Sequence, residues 1–202
     1  MARPRKFDED EALQKMVQVF WRHGFDATTI RMLEETTGIG VRGIANAFGD
    51  KEEIFLKVLG AYTQMAHGVI NRVFNRPSLS AANMMFNRLA RATDDPDDVN
   101  NCGCLMVNTV FELGRASPKV REAVEAYRLM WRDTFRAAIA ADGVNKPDER
   151  AEFLLGLLWG GLSQVRLMGS TTAAAPMAQV AVETIDAWQR QGSRQSVQPN
   201  GF

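Results

Sequence analysis

The sequence predicts an all-α protein. Apolar residues recur three and four positions apart along most of the chain, capping and stop residues punctuate these runs, and no stretch alternates apolar with polar residues as a strand would. The chain has 202 residues, enough for one large domain or two small ones. Its 46% hydrophobic and 24% charged residues are those of a globular rather than a disordered chain. A chain of this length can bury a sizeable core without disulfides or metal staples.

Each helix has a local reason. Asp8 with Glu11 forms a capping-box pattern, Leu13, Met16, Val17 and Phe20 follow at helical spacing, and Gly24 is expected to stop the helix. Thr28 and Thr29 offer an N-cap for a short second helix carrying Ile30 and Leu33, which Gly38 ends. A third, very short helix lies between Gly40 and Phe48. Asp50, with Glu53 three residues on, caps a fourth that bears Ile54, Phe55, Val58 and Leu59 and can run to Pro77.

Longer helices follow. One spans 79–92, then comes the loop Asp94-Asp95-Pro96-Asp97-Asp98, and another helix spans 101–113, ending at Gly114. Pro118, a favoured first-turn residue, opens a long helix with Val120, Val124, Tyr127, Met130, Trp131 and Phe135 that stops before Gly143. The most apolar helix covers 148–168 and the last covers 176–191. The tail 192–202, rich in Ser, Gln, Pro and Gly, is read as frayed or disordered. No internal repeat occurs.

The 24 Lys+Arg balance 24 Asp+Glu, which excludes a globally basic nucleic-acid coat and an acidic solvating tail but leaves room for a local basic patch. Cys102 and Cys104 are too close in sequence to suit a disulfide and too few for a secreted framework, so a reduced, cytoplasmic protein is expected. Arg3, Arg5 and Lys6 resemble the charged start of a secretory leader, yet an acidic stretch follows where an apolar run should be. The longest apolar run, 153–162, is too short to span a bilayer, so no membrane partner is expected.

Three short helices with a tight turn at Gly38 between the second and third form the pattern of a helix-turn-helix. In that motif the second helix of the pair enters the major groove of double-stranded DNA while the first braces against the backbone. Helix N-termini at Thr28-Thr29 and at Asp50-Lys51 flank the reader helix and point N–H groups at phosphates. Thr28 and Thr29 add hydroxyls, Lys51 adds charge, and the arm Arg3, Arg5, Lys6 suits phosphates or a minor groove. Gly40, Val41, Arg42 and Asn46 complete the candidate DNA-binding set; by hydrogen-bond geometry Arg42 suits guanine and Asn46 adenine.

These residues resemble the TetR family of bacterial transcriptional repressors. The likeness is carried by Arg3-Pro4-Arg5 with Phe7-Asp8, by the stretch 20–25, by Ala27-Thr28-Thr29-Ile30, by Thr37-Gly38-Ile39-Gly40 and by the stretch 48–55. It implies a DNA-reading domain over residues 1–50, a connecting helix over 51–76, and an effector-binding and dimerisation domain over 51–192. It further implies a homodimer whose reader helices contact successive major grooves of a near-palindromic operator, and an unidentified small-molecule effector that releases the DNA. The chain departs from the family where an aromatic commonly follows the position of Ile44, here Ala45, and where an aromatic or His commonly precedes Phe48, here Ala47. Arg42 stands where Gly or Pro is frequent. Two usual phosphate contacts are thus absent, and Arg42 is expected to replace them or to read a base. Residues 1–60 hold nine Lys+Arg and ten Asp+Glu, so charge alone does not mark the surface.

In the C-terminal domain, Gly103-Cys104-Leu105-Met106-Val107-Asn108 resembles a Gly-Cys-Leu-x-x-Asn segment of one TetR subgroup that includes cysteine-based sensors of electrophiles and oxidants. The resemblance implies a reactive thiol at Cys104, with Cys102 beside it; the alternative is a small buried hydrophobe, since thiolate character and exposure decide reactivity. Candidate lining residues for an apolar effector are Tyr62, Met65, Met85, Phe86, Trp131, Phe135, Trp159 and Met168, and residues of this kind also build ordinary core. The last two helices are expected to dimerise through Gly156, Gly160, Gly161, Val182, Ile185 and Trp188, with monomer core as the alternative.

No catalytic pattern appears: His23 and His67 lie in no metal motif, the sequence around Ser163 lacks the second glycine of a nucleophile elbow, and there is no P-loop or dinucleotide fingerprint. Neither an enzyme, a cofactor nor a metal is expected. Two readings remain: a dimeric repressor released by an effector, or a helical ligand-binding or interaction protein whose DNA reading has decayed.

Overall fold

The computed structural model describes residues 7–95, 97–113 and 117–195. Among the described residues the chain is helical throughout, with no strand. The helices are α1 (Glu9–Ala27), α2 (Ile30–Thr37), α3 (Val41–Phe48), α4 (Lys51–Val73), α5 (Leu79–Ala90), α6 (Leu105–Leu113), α7 (Pro118–Ala141), α8 (Pro147–Met168) and α9 (Ala175–Gln195). Short 3-10 turns, Val99–Cys102 and Thr171–Ala174, precede α6 and α9. None of the described helices is long and apolar enough to cross a membrane.

Most caps act as the sequence predicts. Asp50 and Glu53 exchange bonds, each backbone N–H donating to the other's carboxylate at 2.9 Å. The Asp8 pattern forms only half: its Oδ1 accepts from the Asp10 and Glu11 amides, but Glu11 turns to Lys15 at 2.7 Å instead of returning to the cap. Gly38 closes α2 in the left-handed conformation, donating to the Glu34 carbonyl at 2.8 Å.

Three boundaries need correction, the first being the connecting helix, which is expected over 51–76 and ends at Val73. The helix expected from residue 101 begins only at Leu105, because Gly103 (φ 74°, ψ −139°) turns the chain sharply and leaves 99–102 as a 3-10 turn. The last helix continues to Gln195, so residues 193–195 are helical rather than frayed; residues 196–202 lie outside the described residues.

Packing divides the chain into two units, Met1–Ala66 with Cys104–Ala126, and His67–Gly103 with Tyr127–Phe202. The sequence divides the chain by role after residue 50; by packing, α6 and the start of α7 belong with the N-terminal helices. The first unit buries Met16, Phe20, Leu33, Ile44, Ile54, Phe55 and Leu59, together with Leu105 and Met106 from α6. The second gathers Phe74, Phe86 and Trp131 around Phe135, with ring centroids 6.1, 5.8 and 5.9 Å from it. In that unit α5 packs on α9, where the Asn83 amide donates to Asp186 at 2.7 Å. Asp94 clasps the turn before α9: the Ser170 and Thr171 hydroxyls donate to its carboxylate at 2.6 and 2.9 Å, and the Thr172 amide at 3.3 Å. These donors, the Ser170 hydroxyl first, hold the Asp94 carboxyl below the usual carboxylate range.

Candidate nucleic-acid interface

The α3 helix is two-sided. Ile44 and Phe48 point inward at 0% and 3% exposure, and Phe48 stacks on Phe7 at 6.4 Å. Val41, Arg42, Ala45 and Asn46 are exposed, and their spacing places them on one face. Gly40 opens the helix, its carbonyl accepting from Gly43 at 2.7 Å, and lies exposed beside that face. The far end is fastened from α4: the Lys57 ammonium donates to the Ala47 carbonyl at 3.2 Å and stands 5.5 Å from the centre of the Phe48 ring. An exposed face that carries a forked cation and an amide over a locked apolar underside can form paired hydrogen bonds to base edges.

The two flanking N-termini differ from expectation in one residue. Thr29 caps α2, its Oγ1 accepting from the Met32 amide at 3.2 Å, and it is exposed with a hydroxyl hydrogen to offer. Thr28 is buried at 1% exposure and donates to the Gly24 carbonyl at 2.6 Å, so its hydroxyl serves the corner between α1 and α2 instead of reaching a phosphate. Lys51 opens α4; its ammonium donates to the Asp26 carbonyl at 3.2 Å and lies 4.5 Å from the centre of the Phe25 ring. Arg3, Arg5 and Lys6 fall outside the described residues.

That corner also holds residues the sequence did not reveal. Gly24 breaks α1 with φ 77° and ψ 180°. Just beyond it the Phe25 amide donates to Glu112 Oε2 of α6 at 2.7 Å. Ser117, at the start of α7, donates to Glu52 Oε1 at 2.8 Å. These partners lie 87 and 65 residues apart in sequence, and no spacing pattern signals such a pairing.

The effector candidates fall in both units. In the first unit the Tyr62 hydroxyl donates to Cys104 Sγ at 3.5 Å, and the Tyr62 ring meets Trp21 edge-on at 4.9 Å. Cys104 is only 3% exposed, the setting of a packed thiol, while Cys102 is half-buried. Phe86, Trp131 and Phe135 belong to the aromatic core of the second unit, Met85 and Trp159 are half-buried, and Met65 and Met168 are exposed.

The dimer candidates divide likewise. A Cβ on Gly161 would stand 3.3 Å from Ala174 Cβ, and one on Gly160 would stand 2.9 Å from Met177 Sδ. Both glycines therefore let α8 approach the chain's own α9 and its preceding turn. Val182 and Ile185 are buried within the same unit, in contrast to the expected place at a subunit surface. Gly156 faces open space, and Trp188 packs on Phe153 at 6.2 Å beneath the Arg150 guanidinium at 4.7 Å. Phe153, Leu167 and Val180 are exposed on α8 and α9.

Comparison with known proteins gives the same picture from outside the chain. The model of bacterial regulatory proteins, tetR family, matches residues 13–58, and that of the tetracyclin repressor-like C-terminal domain matches residues 83–181. The HTH-type transcriptional repressor ComR of Escherichia coli (strain K12) is 28% identical over 137 residues, covering 66% of this chain and 64% of its own length. A solved TetR family transcriptional regulator, a cysteine mutant of CifR complexed with 26bp double-strand operator DNA, is 26% identical with a TM-score of 0.71, covering 93% of this chain and 100% of its own. A TetR transcriptional regulator from Chloroflexus aurantiacus J-10-FL has a TM-score of 0.75 at 19% identity, covering 88% of this chain and 93% of its own; it speaks to the fold alone.

Proposed function

The chain belongs to the TetR family of transcriptional regulators, and from that premise we propose that it is a dimeric repressor that binds a near-palindromic operator and leaves it when a small effector binds. The observation that carries the reading is the outward face of α3, where Arg42 and Asn46 stand beside Val41 and Ala45. Arg42 donates to a guanine, Asn46 pairs with an adenine, and Val41 offers an apolar surface to a thymine methyl. Thr29 and Lys51 meet phosphates on either side, with the N-terminal arm of Arg3, Arg5 and Lys6 extending the contact. Residues 1–50 thus read DNA, while α5 to α9 supply effector binding and self-association.

Dimerisation falls to exposed apolar side chains of α8 and α9, Phe153, Leu167 and Val180, together with the open backbone at Gly156. A two-fold dimer uses this patch twice and presents two reader helices, which supplies the affinity that a reader with so few cations lacks alone. The experiment is selection of bound sequences from random duplex DNA, followed by titration across salt concentrations. A palindromic consensus and a shallow salt slope are expected. Binding without preference for any sequence removes the repressor reading and leaves a helical ligand-binding or interaction protein.

A further inference from the structure

We propose that Glu112 is a positioning residue for operator binding: its carboxylate sets the α1–α2 corner from which the phosphate-facing groups of α2 and α4 are presented. The inference rests on the operator-binding reading above and adds to it a residue outside the DNA-reading helices.

Three features of the corner fit a carboxylate. The break at Gly24 (φ 77°, ψ 180°) turns the backbone out of the helix, so the next amide, Phe25 N–H, needs an acceptor from elsewhere. Glu112 Oε2 supplies it at 2.7 Å, the short length of a charge-assisted bond. The space for the carboxylate exists because residue 24 has no side chain: a Cβ there would lie 2.8 Å from Glu112 Oε2 and 2.9 Å from its Cδ, closer than real atoms approach. An open amide and a missing side chain together form a socket of one carboxylate's size.

The groups that hang from this corner face DNA in the proposed complex. Thr28 donates to the Gly24 carbonyl and so ties the start of α2, with its cap Thr29, to the break. The Phe25 ring packs on Phe55 at 5.1 Å, and the Lys51 ammonium stands 4.5 Å from the centre of the Phe25 ring while donating to the Asp26 carbonyl. Next to Lys51, Glu52 accepts from Ser117, whose Oγ also accepts from the Val120 amide at the first turn of α7. The segment 104–126 packs in the same compact unit as α1 to α3, and it touches the corner through the Glu112 carboxylate and α4 through the Ser117 hydroxyl. Glu112 itself is exposed, so its removal leaves the buried core intact and frees only the corner.

The test uses the full-length chain and the operator recovered by selection, with binding followed by fluorescence anisotropy. Glu112→Ala should weaken operator binding by about tenfold, the effect of one charge-assisted hydrogen bond on which the bound geometry depends. Binding to random duplex should change less than twofold, because that term follows net positive charge at the phosphates and not register. Glu112→Asp keeps the charge but falls one methylene short, and should behave as Glu112→Ala. Glu112→Gln keeps both reach and an acceptor oxygen, and should stay within about threefold of wild type. Gly24→Ala should weaken binding at least as much as Glu112→Ala, since its side chain would crowd the carboxylate and also strain a backbone held at φ 77°. Wild-type affinity in both Glu112→Ala and Glu112→Asp, on an operator the wild type prefers, overturns the inference. So does a pattern in which Asp rescues and Gln does not, which marks a general charge effect. A wild type without sequence preference fails at the earlier step, and removes the operator reading together with this one.

Discussion

Replacing Gly103 by Ala separates close packing from backbone strain. Gly103 has φ 74° and ψ −139°, a region that other residues enter at a cost of about 1–3 kcal/mol. An added Cβ would stand 2.5 Å from the Leu162 carbonyl oxygen and 3.2 Å from Arg166 Cβ. The oxygen belongs to the middle of α8 and cannot swing aside as a side chain could. Overpacking of this kind costs about 1–3 kcal/mol, for a total of about 2–6 kcal/mol. Typical domains have only about 5–15 kcal/mol of net stability, so the variant should unfold at much lower denaturant. Gly169 is the control: it has φ 64° and ψ 29°, and nothing lies within 4 Å of its added Cβ. Gly169→Ala therefore carries strain alone, about 1–2 kcal/mol. Urea unfolding followed by circular dichroism, at one fixed protein concentration, measures both. Equal losses in the two variants would refute the claim that Gly103 is required by the approach of α8.

Other outcomes follow from the same geometry. Arg42→Ala should weaken specific binding by about 1–3 kcal/mol per half-site and relax the preference at a single base position, read from selection on the variant; an unchanged consensus would show that Arg42 reads no base. Phe153→Asp should raise the dimer dissociation constant by at least about tenfold, since each of two symmetry-related rings loses about 1 kcal/mol of apolar burial; sedimentation velocity across concentrations checks it, and an unshifted dimer places the interface elsewhere. Asp94 has its carboxyl held below the ordinary value of 3.8, so its clasp on 170–172 stabilises the fold at neutral pH and loses that contribution as pH falls through the lowered value. Hydrogen-exchange protection of the Thr172 amide should thus be steady from pH 7 to about 5 and drop at lower pH, while Asp94→Asn removes the dependence. A wild-type profile matching Asp94→Asn would refute the clasp.

What could be read from the sequence was local. The helix class, the Thr29 cap, the reciprocal Asp50–Glu53 cap, the Gly38 stop and the exposed Arg42–Asn46 face all depend on residues within one or two turns of each other. The positions that were misread depend on packing. Thr28 looked like a second cap, but it is buried and its hydroxyl donates to the Gly24 carbonyl of the preceding break. Gly160 and Gly161 looked like a surface for a second subunit, yet Met177 and Ala174 of the same chain occupy it. Glu112 and Ser117 gave no signal, because their partners are separated from them by 87 and 65 residues. Gly103 showed as part of a segment, but its reason, the Leu162 carbonyl, lies in another helix.

Lys51 and Lys57 each spend an ammonium hydrogen on a backbone carbonyl, and each stands near an aromatic ring. Carbonyls and rings are neutral, so neither lysine surrenders its charge as it would in an ion pair. What each gives up beforehand is rotamer freedom, worth about 2 kcal/mol for a lysine left to wander. In the proposed operator complex, a phosphate at Lys51 would meet a cation whose ordering cost has been settled by folding. A head with few positive charges can in this way make each of them count for more.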